Sequence, residues 1–220
     1  MSRNTKLEAF KTRMHLLDVA INEFSLRGYT ATTLMDIAGM AGVTRGAIYW
    51  HFDSKTELFN EIWLREQPIF QQINQNGMGT LVDNPLYVLK HLLINGLKLI
   101  AIDPKQRNLM NIIFHKCEFS CSMLSSQDIR QRIYINPPRL ACLLEKCKSK
   151  NQLPAALNVE KSVNVIRAYF SGIIGNWLVY PGVFNLYRDA GQIVSQLIYM
   201  LNYNDSENES EESISVYEKS

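Results

Sequence analysis

Residues 33–52 read TLMDIAGMAGVTRGAIYWHF, and the fold depends on how that stretch divides. Thr33 followed by Asp36 resembles a capping box, in which a hydroxyl and a carboxylate satisfy the free N–H groups at a helix start. Leu34, Ile37, Ala38 and Ala41 then recur at helical spacing, and Gly42 ends that short helix. Thr44 caps the next one. On a wheel started at Thr44, Ile48 and Phe52 fall at about 40° and 80° and define a buried face, while Gly46, Tyr49 and Trp50 fall between about 140° and 240°. Two large aromatics and a residue without a side chain thus lie opposite the core. That arrangement wastes burial unless another molecule covers it.

Helical periodicity continues on both sides. Upstream, Phe10, Met14, Leu17, Ile21 and Phe24 alternate at four and three residues and make one apolar stripe, closed by Gly28. Downstream, Ser54 with Glu57 is an S-x-x-E capping box that opens a helix through Leu58, Phe59, Ile62 and Trp63, which Pro68 should kink or interrupt. Asn84-Pro85 and Asp103-Pro104 each place a capping side chain before a proline at the first helical position and predict helices over 85–101 and 104–119. A helix over 124–150 must break or kink at Asn136-Pro137-Pro138. Asn158 and Asn185 cap two last helices, separated by Pro181-Gly182. Nine helical segments and no strand or hairpin predict an all-α fold. A three-helix module occupies 1–54, a larger helical body 55–202, and an acidic tail, expected to be disordered, 203–220.

At 220 residues and 46% hydrophobic content the chain has room for a sizeable core and is not disordered in bulk. The net charge of +2 is uninformative by itself; its distribution is not. Arg3, Lys6, Lys11 and Arg13 make a basic arm, and Asp205, Glu207, Glu209, Glu211, Glu212 and Glu218 concentrate acid in the tail, so the body without it is basic. The N-terminus lacks an apolar leader, and no run approaches the ~18 apolar residues of a membrane span. Cys117, Cys121, Cys142 and Cys147 form no disulfide framework. A cytoplasmic protein with free thiols and no membrane partner is expected.

Two short helices around a glycine turn form a helix-turn-helix, whose second helix enters the major groove of double-stranded DNA. Thr44 and Arg45, at the N-terminal end of that helix, have the chemistry to read base edges, since Arg pairs with guanine O6 and N7. Gly46 and Ala47 keep this end slim. Tyr49 and His51 can donate to phosphate, Trp50 can pack on sugar, Lys55 offers a further phosphate contact, and Thr33 can bring its hydroxyl and N–H to another.

Residues 7–63, LEAFKTRMHLLDVAINEFSLRGYTATTLMDIAGMAGVTRGAIYWHFDSKTELFNEIW, resemble the DNA-binding region of the TetR family. VTRGAIYWHF followed by K-x-x-L-F-x-E-I-W, and later HKCEF (115–119) and SGIIGNWL (171–178), are especially similar to the AcrR-type multidrug-efflux repressors. The resemblance implies an all-helical homodimer. Its first three helices would bind operator DNA at Thr33, Thr44, Arg45, Gly46, Ala47, Tyr49, Trp50, His51 and Lys55, and the later helices would hold an effector pocket and the dimer interface. It also selects the pocket positions: Trp63, Glu66, Gln67 and Phe70 on the fourth helix, Asn111 and Phe114 on the sixth, Leu140 on the seventh, and Arg167, Ser171 and Ile174 on the eighth. The implied effector is bulky and aromatic or cationic, with Glu66 able to supply a negative charge. The doubled proline and the acidic tail depart from the family pattern. Helix 8, apolar on more than one face through Val163, Ile166, Phe170, Ile173, Ile174 and Trp177, pairs with helix 9 (Leu186, Ile193, Leu197, Leu201) as the candidate two-fold interface. The function implied is a ligand-released repressor of a multidrug-efflux operon. The alternatives are a family member governing other genes, or a helical adaptor using the exposed aromatics to bind protein.

Other constellations are weak. His115, Cys117 and Cys121 lack a further ligand for a metal site, and a redox role for the cysteines is weighed slightly above it. Gly77-Met78-Gly79 follows a helix and not a strand, which removes a nucleotide loop. No Ser-His-Asp or paired-carboxylate arrangement is legible, so neither an enzyme nor a cofactor is expected.

Overall fold

The computed structural model describes residues 2–67, 69, 84–119, 123–125, 128–129 and 136–203. Among them all regular structure is helical. Helices α1 (Ser2–Arg27), α2 (Leu34–Met40), α3 (Arg45–His51) and α4 (Lys55–Arg65) are followed by α5 (Pro85–Ile102), α6 (Pro104–Asn111), α7 (Pro137–Ser149), α8 (Val159–Val179) and α9 (Leu186–Asn202). Phe70 and the acidic tail beyond Tyr203 lie outside the described residues, as does most of the helix expected before Asn136.

The helices start where polar side chains can meet their free N–H groups. Asn84, Asp103, Asn158 and Asn185 accept from Tyr87, Lys105, Lys161 and Arg188 at 2.9, 2.8, 3.0 and 2.9 Å. At α4, Ser54 accepts from the Glu57 N–H at 3.1 Å, but the Glu57 carboxylate reaches back to Asp53 N–H at 2.7 Å, one residue earlier than a standard box. Asn136-Pro137-Pro138 begins α7 and does not kink a longer helix. Asn136 is its cap, accepting from Arg139 N–H at 3.4 Å, and the prolines occupy first-turn positions that need no N–H.

The expected helix 104–119 is shorter. It is α-helical to Asn111, widens into a π turn over Ile112–Lys116, and leaves the helix at Cys117 in extended backbone. Carbonyls at a helix end have no partner within it, and that of Lys116 takes the N–H of Tyr29 at 2.9 Å. Gly28, at φ +88°, turns the chain out of α1 beside it; a Cβ there would stand 3.5 Å from the same carbonyl.

Leu17, Ile21 and Phe24 of α1 join Ile37, Ile48, Phe52, Leu58 and Phe59 in a buried cluster that runs on into Leu92, Met110 and Ile174 of the body. Phe10, expected in the α1 stripe, is instead 55% exposed; the Arg65 guanidinium sits over its ring at 5.5 Å. Within the body, α5 packs on α6, α7 and α9, and α8 on α6, α7 and α9. Against the expectation of no such run, α5 is long and apolar enough to cross a membrane, with a mean hydropathy of 1.4, the one such helix among the described residues. Its Leu89, Leu92, Leu93, Leu97 and Ile100 are buried, as in a core helix of a globular body.

Candidate nucleic-acid interface and effector region

The turn between α2 and α3 is a full Schellman motif. Gly42 (φ +67°) donates to Gly39 O at 3.2 Å and Val43 to Ala38 O at 3.0 Å, so both loose carbonyl ends of α2 are met. Thr44 then caps α3, its hydroxyl oxygen accepting from Ala47 N–H at 3.2 Å. Ile48, 0% exposed, and Phe52 anchor the helix from below. Arg45, Gly46, Tyr49 and Trp50 are exposed on one continuous arc, Trp50 at 72%. A Cβ on Gly46 would meet nothing nearer than Thr44 Oγ at 4.0 Å, so the space above the backbone is open. The Arg45 guanidinium lies 5.7 Å from the Tyr49 ring, which steers it along the helix surface. This surface is an apolar and cationic ridge with its anchoring side chains on the opposite face.

Three expected contact residues also have partners within the chain. His51 is buried, its ring centre 4.7 Å from that of Trp50 in a T-shaped pair, and burial followed by the charge of Arg13 holds its pKa below the ordinary histidine range. It is a core residue of the module; on the wheel it falls at about 340°, beside Ile48. Lys55 donates to the carbonyls of Tyr29 and Thr32, each at 2.8 Å, and covers the Tyr29 ring at 4.2 Å, with burial lowering its pKa. Thr33 gives its N–H (2.8 Å) and hydroxyl (2.7 Å) to Asp36 while accepting from Asp36 N–H.

One residue carries more of the geometry than its sequence position announces. Arg13 of α1 donates to the carbonyl of His51 at the end of α3 and makes a two-pronged pair with Glu61 of α4, the Nε arm at 2.9 Å. Its guanidinium also lies 4.2 Å from the centre of the Phe52 ring. The signal was an arginine within an apolar stripe, opposite a Glu57–Glu61 pair spaced one turn apart on α4.

The expected effector residues divide into two groups. Trp63 is 1% exposed, Leu140 0% and Ile174 1%. Phe114 is half-buried and stands 3.4 Å from where a Cβ on Gly175 would lie, and Arg167 and Ser171 are half-buried on α8. Glu66 and Asn111 turn the other way, toward α1. Glu66 pairs with Lys105 at 2.6 Å in a cleft of about 250 Å³ walled by α1, α4 and α6. Asn111 donates to the Ser25 carbonyl at 3.0 Å. Gln67 is exposed. No group of three metal-binding side chains occurs among the described residues, Cys121 lying outside them; His115 Nε2 is 3.2 Å from Gly175 O. Burial pushes the Cys117 and Cys147 thiols up to about 11, so both stay protonated at neutral pH.

A capped helix-turn-helix, mounted by its first helix on a larger all-helical body, defines a DNA-binding transcription regulator. Residues 16–62 match the family described as bacterial regulatory proteins, tetR family, and residues 84–203 match the C-terminal region of MAATS-type transcriptional repressors. The chain is 40% identical over 200 residues to a probable acrEF/envCD operon repressor of Escherichia coli K12, covering 91% of each. It is 39% identical to the HTH-type transcriptional regulator AcrR of Shigella flexneri, over 91% of this chain and 94% of that one. Among solved structures it is similar to NalD, the secondary repressor of the MexAB-OprM multidrug efflux pump in Pseudomonas aeruginosa, with 27% identity and a TM-score of 0.70 over 90% of this chain and 98% of that one. The chain belongs to the TetR family and is a transcriptional repressor related to those of efflux pumps.

Proposed function

We propose that this repressor acts in the cytoplasm as a homodimer through α8 and α9, silences a multidrug-efflux operon, and leaves its operator when a bulky aromatic effector binds the body. The observation that carries DNA reading is the exposed arc of Arg45, Gly46, Tyr49 and Trp50 on a helix anchored from the opposite side. Support for the efflux assignment comes from the relatives, two of which are named for acrEF/envCD and for MexAB-OprM. In this reading α3 lies in the major groove: Thr44 and Arg45 meet base edges, Tyr49 phosphate and Trp50 sugar. Two half-sites stand about 34 Å or a multiple apart. Two seams couple effector to reader, α4 itself and the Tyr29–Lys116 contact, and release follows when the effector prefers the DNA-incompetent arrangement.

The test is fluorescence anisotropy on the chain's own upstream DNA against a random duplex of the same length. Arg45→Ala should weaken specific binding by about 1–3 kcal/mol and relax preference at one base position. Equal loss on both duplexes would remove direct readout by Arg45.

A further inference from the structure

The cleft that holds Glu66 lies where α1, α4 and α6 meet, and it has room for more than the ion pair inside it. Met14, Leu17 and Ile21 of α1 and Ile62 of α4 line it with apolar surface around a volume of about 250 Å³. Sites for drug-sized ligands run to about 300–1,000 Å³, so this one suits a single ring with a short chain. Leu17, Ile21 and Ile62 belong to the continuous core, so packing holds these walls in place.

Four charged side chains complete the lining: Asp18 on α1, Arg65 and Glu66 at the end of α4, and Lys105 on α6. Arg65 is engaged elsewhere, 3.6 Å from Glu61 and over the Phe10 ring. Two carboxylates are then left to one ammonium. Lys105 Nζ stands 2.6 Å from Glu66 but 3.8 Å from Asp18, so it meets the first closely and the second only loosely. Glu66 is also the more sheltered, its side chain 14% exposed against 62% for Asp18. A carboxylate withdrawn from water beside apolar walls holds a cation more tightly than one in free solution. The cleft thus joins an excess negative charge to an apolar floor and unfilled volume.

We infer that this cleft is a small-molecule site of its own, taking a primary or secondary ammonium on a small apolar frame. It is separate from the effector cavity proposed above and does not depend on it. The ligand's N–H groups donate charge-assisted hydrogen bonds to Glu66 and Asp18, which can only accept. Its ring lies on the Met14, Leu17 and Ile62 surface. Lys105 competes for the same two carboxylates, so the ligand weakens the Lys105–Glu66 pair and the pair weakens the ligand. Occupancy therefore changes what ties α1 and α4 to α6 at this point.

A matched series tests this on the full-length protein by calorimetry: 2-phenylethylammonium, 2-phenylethanol and 3-phenylpropanoate. The ammonium compound should bind about tenfold or more tighter than the alcohol, and the carboxylate should be the weakest. Glu66→Gln should erase the preference for ammonium over alcohol, and Asp18→Asn should reduce it. Lys105→Met keeps the apolar stem and removes the competitor, so it should tighten the ammonium compound by about fivefold or more. Melting curves identify a variant that has lost its fold, and Asp18→Asn, at an exposed side chain, then carries the test. The inference is overturned if the alcohol binds as tightly as the ammonium compound, or if none of the three binds. It is overturned equally if Lys105→Met leaves binding unchanged or weaker, or if neither acid variant alters the preference, as for an amine held elsewhere in the body.

Discussion

His51 and Lys55 look alike in the sequence, two basic side chains at and just past the end of a reading helix, and the structure gives both internal work. His51 is held neutral by burial and by the charge of Arg13, with the carboxylate of Glu61 opposing them weakly. A histidine whose folded pKa lies below its unfolded value of about 6.5 contributes fully above that pH, and the contribution is lost as pH falls toward the folded value. Lowering the pH from 7.5 to 5 should therefore lower the melting temperature of the native protein, and His51→Gln should flatten that part of the profile. A variant profile as steep as the native one would show that other groups govern it. Lys55 bridges two carbonyls at the α1–α2 loop. Lys55→Met should destabilise the fold by about 1–3 kcal/mol in urea titration, since two charged hydrogen bonds are lost from a half-buried site. The salt slope of operator binding should stay unchanged; a slope reduced by about one unit would return Lys55 to the phosphates.

At the scale of elements, the three-helix module is held by packing and by one ionic clamp. Arg13 joins α1 to the last carbonyl of α3 and to Glu61 of α4, and Glu61 also lies 3.6 Å from Arg65. Because the pair is partly exposed, Arg13→Ala should destabilise by about 1–3 kcal/mol, below the figure for fully buried pairs. Operator affinity should fall with it, although Arg13 touches no base in the proposed complex. The exchange Arg13→Glu with Glu61→Arg should restore part of the stability but not the affinity, because a glutamate cannot donate to His51 O. Full recovery of both would reduce the clamp to a simple charge pair. Helix starts were legible in the sequence because caps are local chemistry: Thr33, Thr44, Ser54, Asn84, Asp103, Asn158 and Asn185 all cap as expected. The π turn over Ile112–Lys116 and the Arg13 clamp were not, because both depend on partners distant in sequence, Tyr29 and Gly175 for the one and Glu61 for the other. The same division runs through the candidate site. The exposed arc of α3 follows from periodicity alone, whereas the inward turn of Glu66 and Asn111 toward α1 follows only from where α6 docks.

At the scale of the whole molecule, one outer face of the body remains uncovered in the single chain. On α8, Val165, Ala168, Gly172, Asn176 and Val179 recur at intervals of three and four and are all exposed, a flat stripe of small side chains. On α9, Tyr199 is 71% and Met200 46% exposed. In the proposed homodimer a two-fold axis would present this surface to its own copy, so a single substitution would be felt twice across the contact. Gly172 is the informative position. A Cβ there meets nothing within 4 Å, so the lone chain has room for a side chain, and replacing a helical glycine gains up to about 1 kcal/mol in propensity. Gly172→Glu should therefore leave the fold of the monomer intact while placing two unpaired carboxylates in the interface. Sedimentation should show a monomer at micromolar concentration with native helicity by circular dichroism. Operator affinity should drop by about two orders of magnitude or more, as each reading helix loses the effective concentration supplied by its partner. A variant that still sediments as the native dimer would place the interface on some other face of the body.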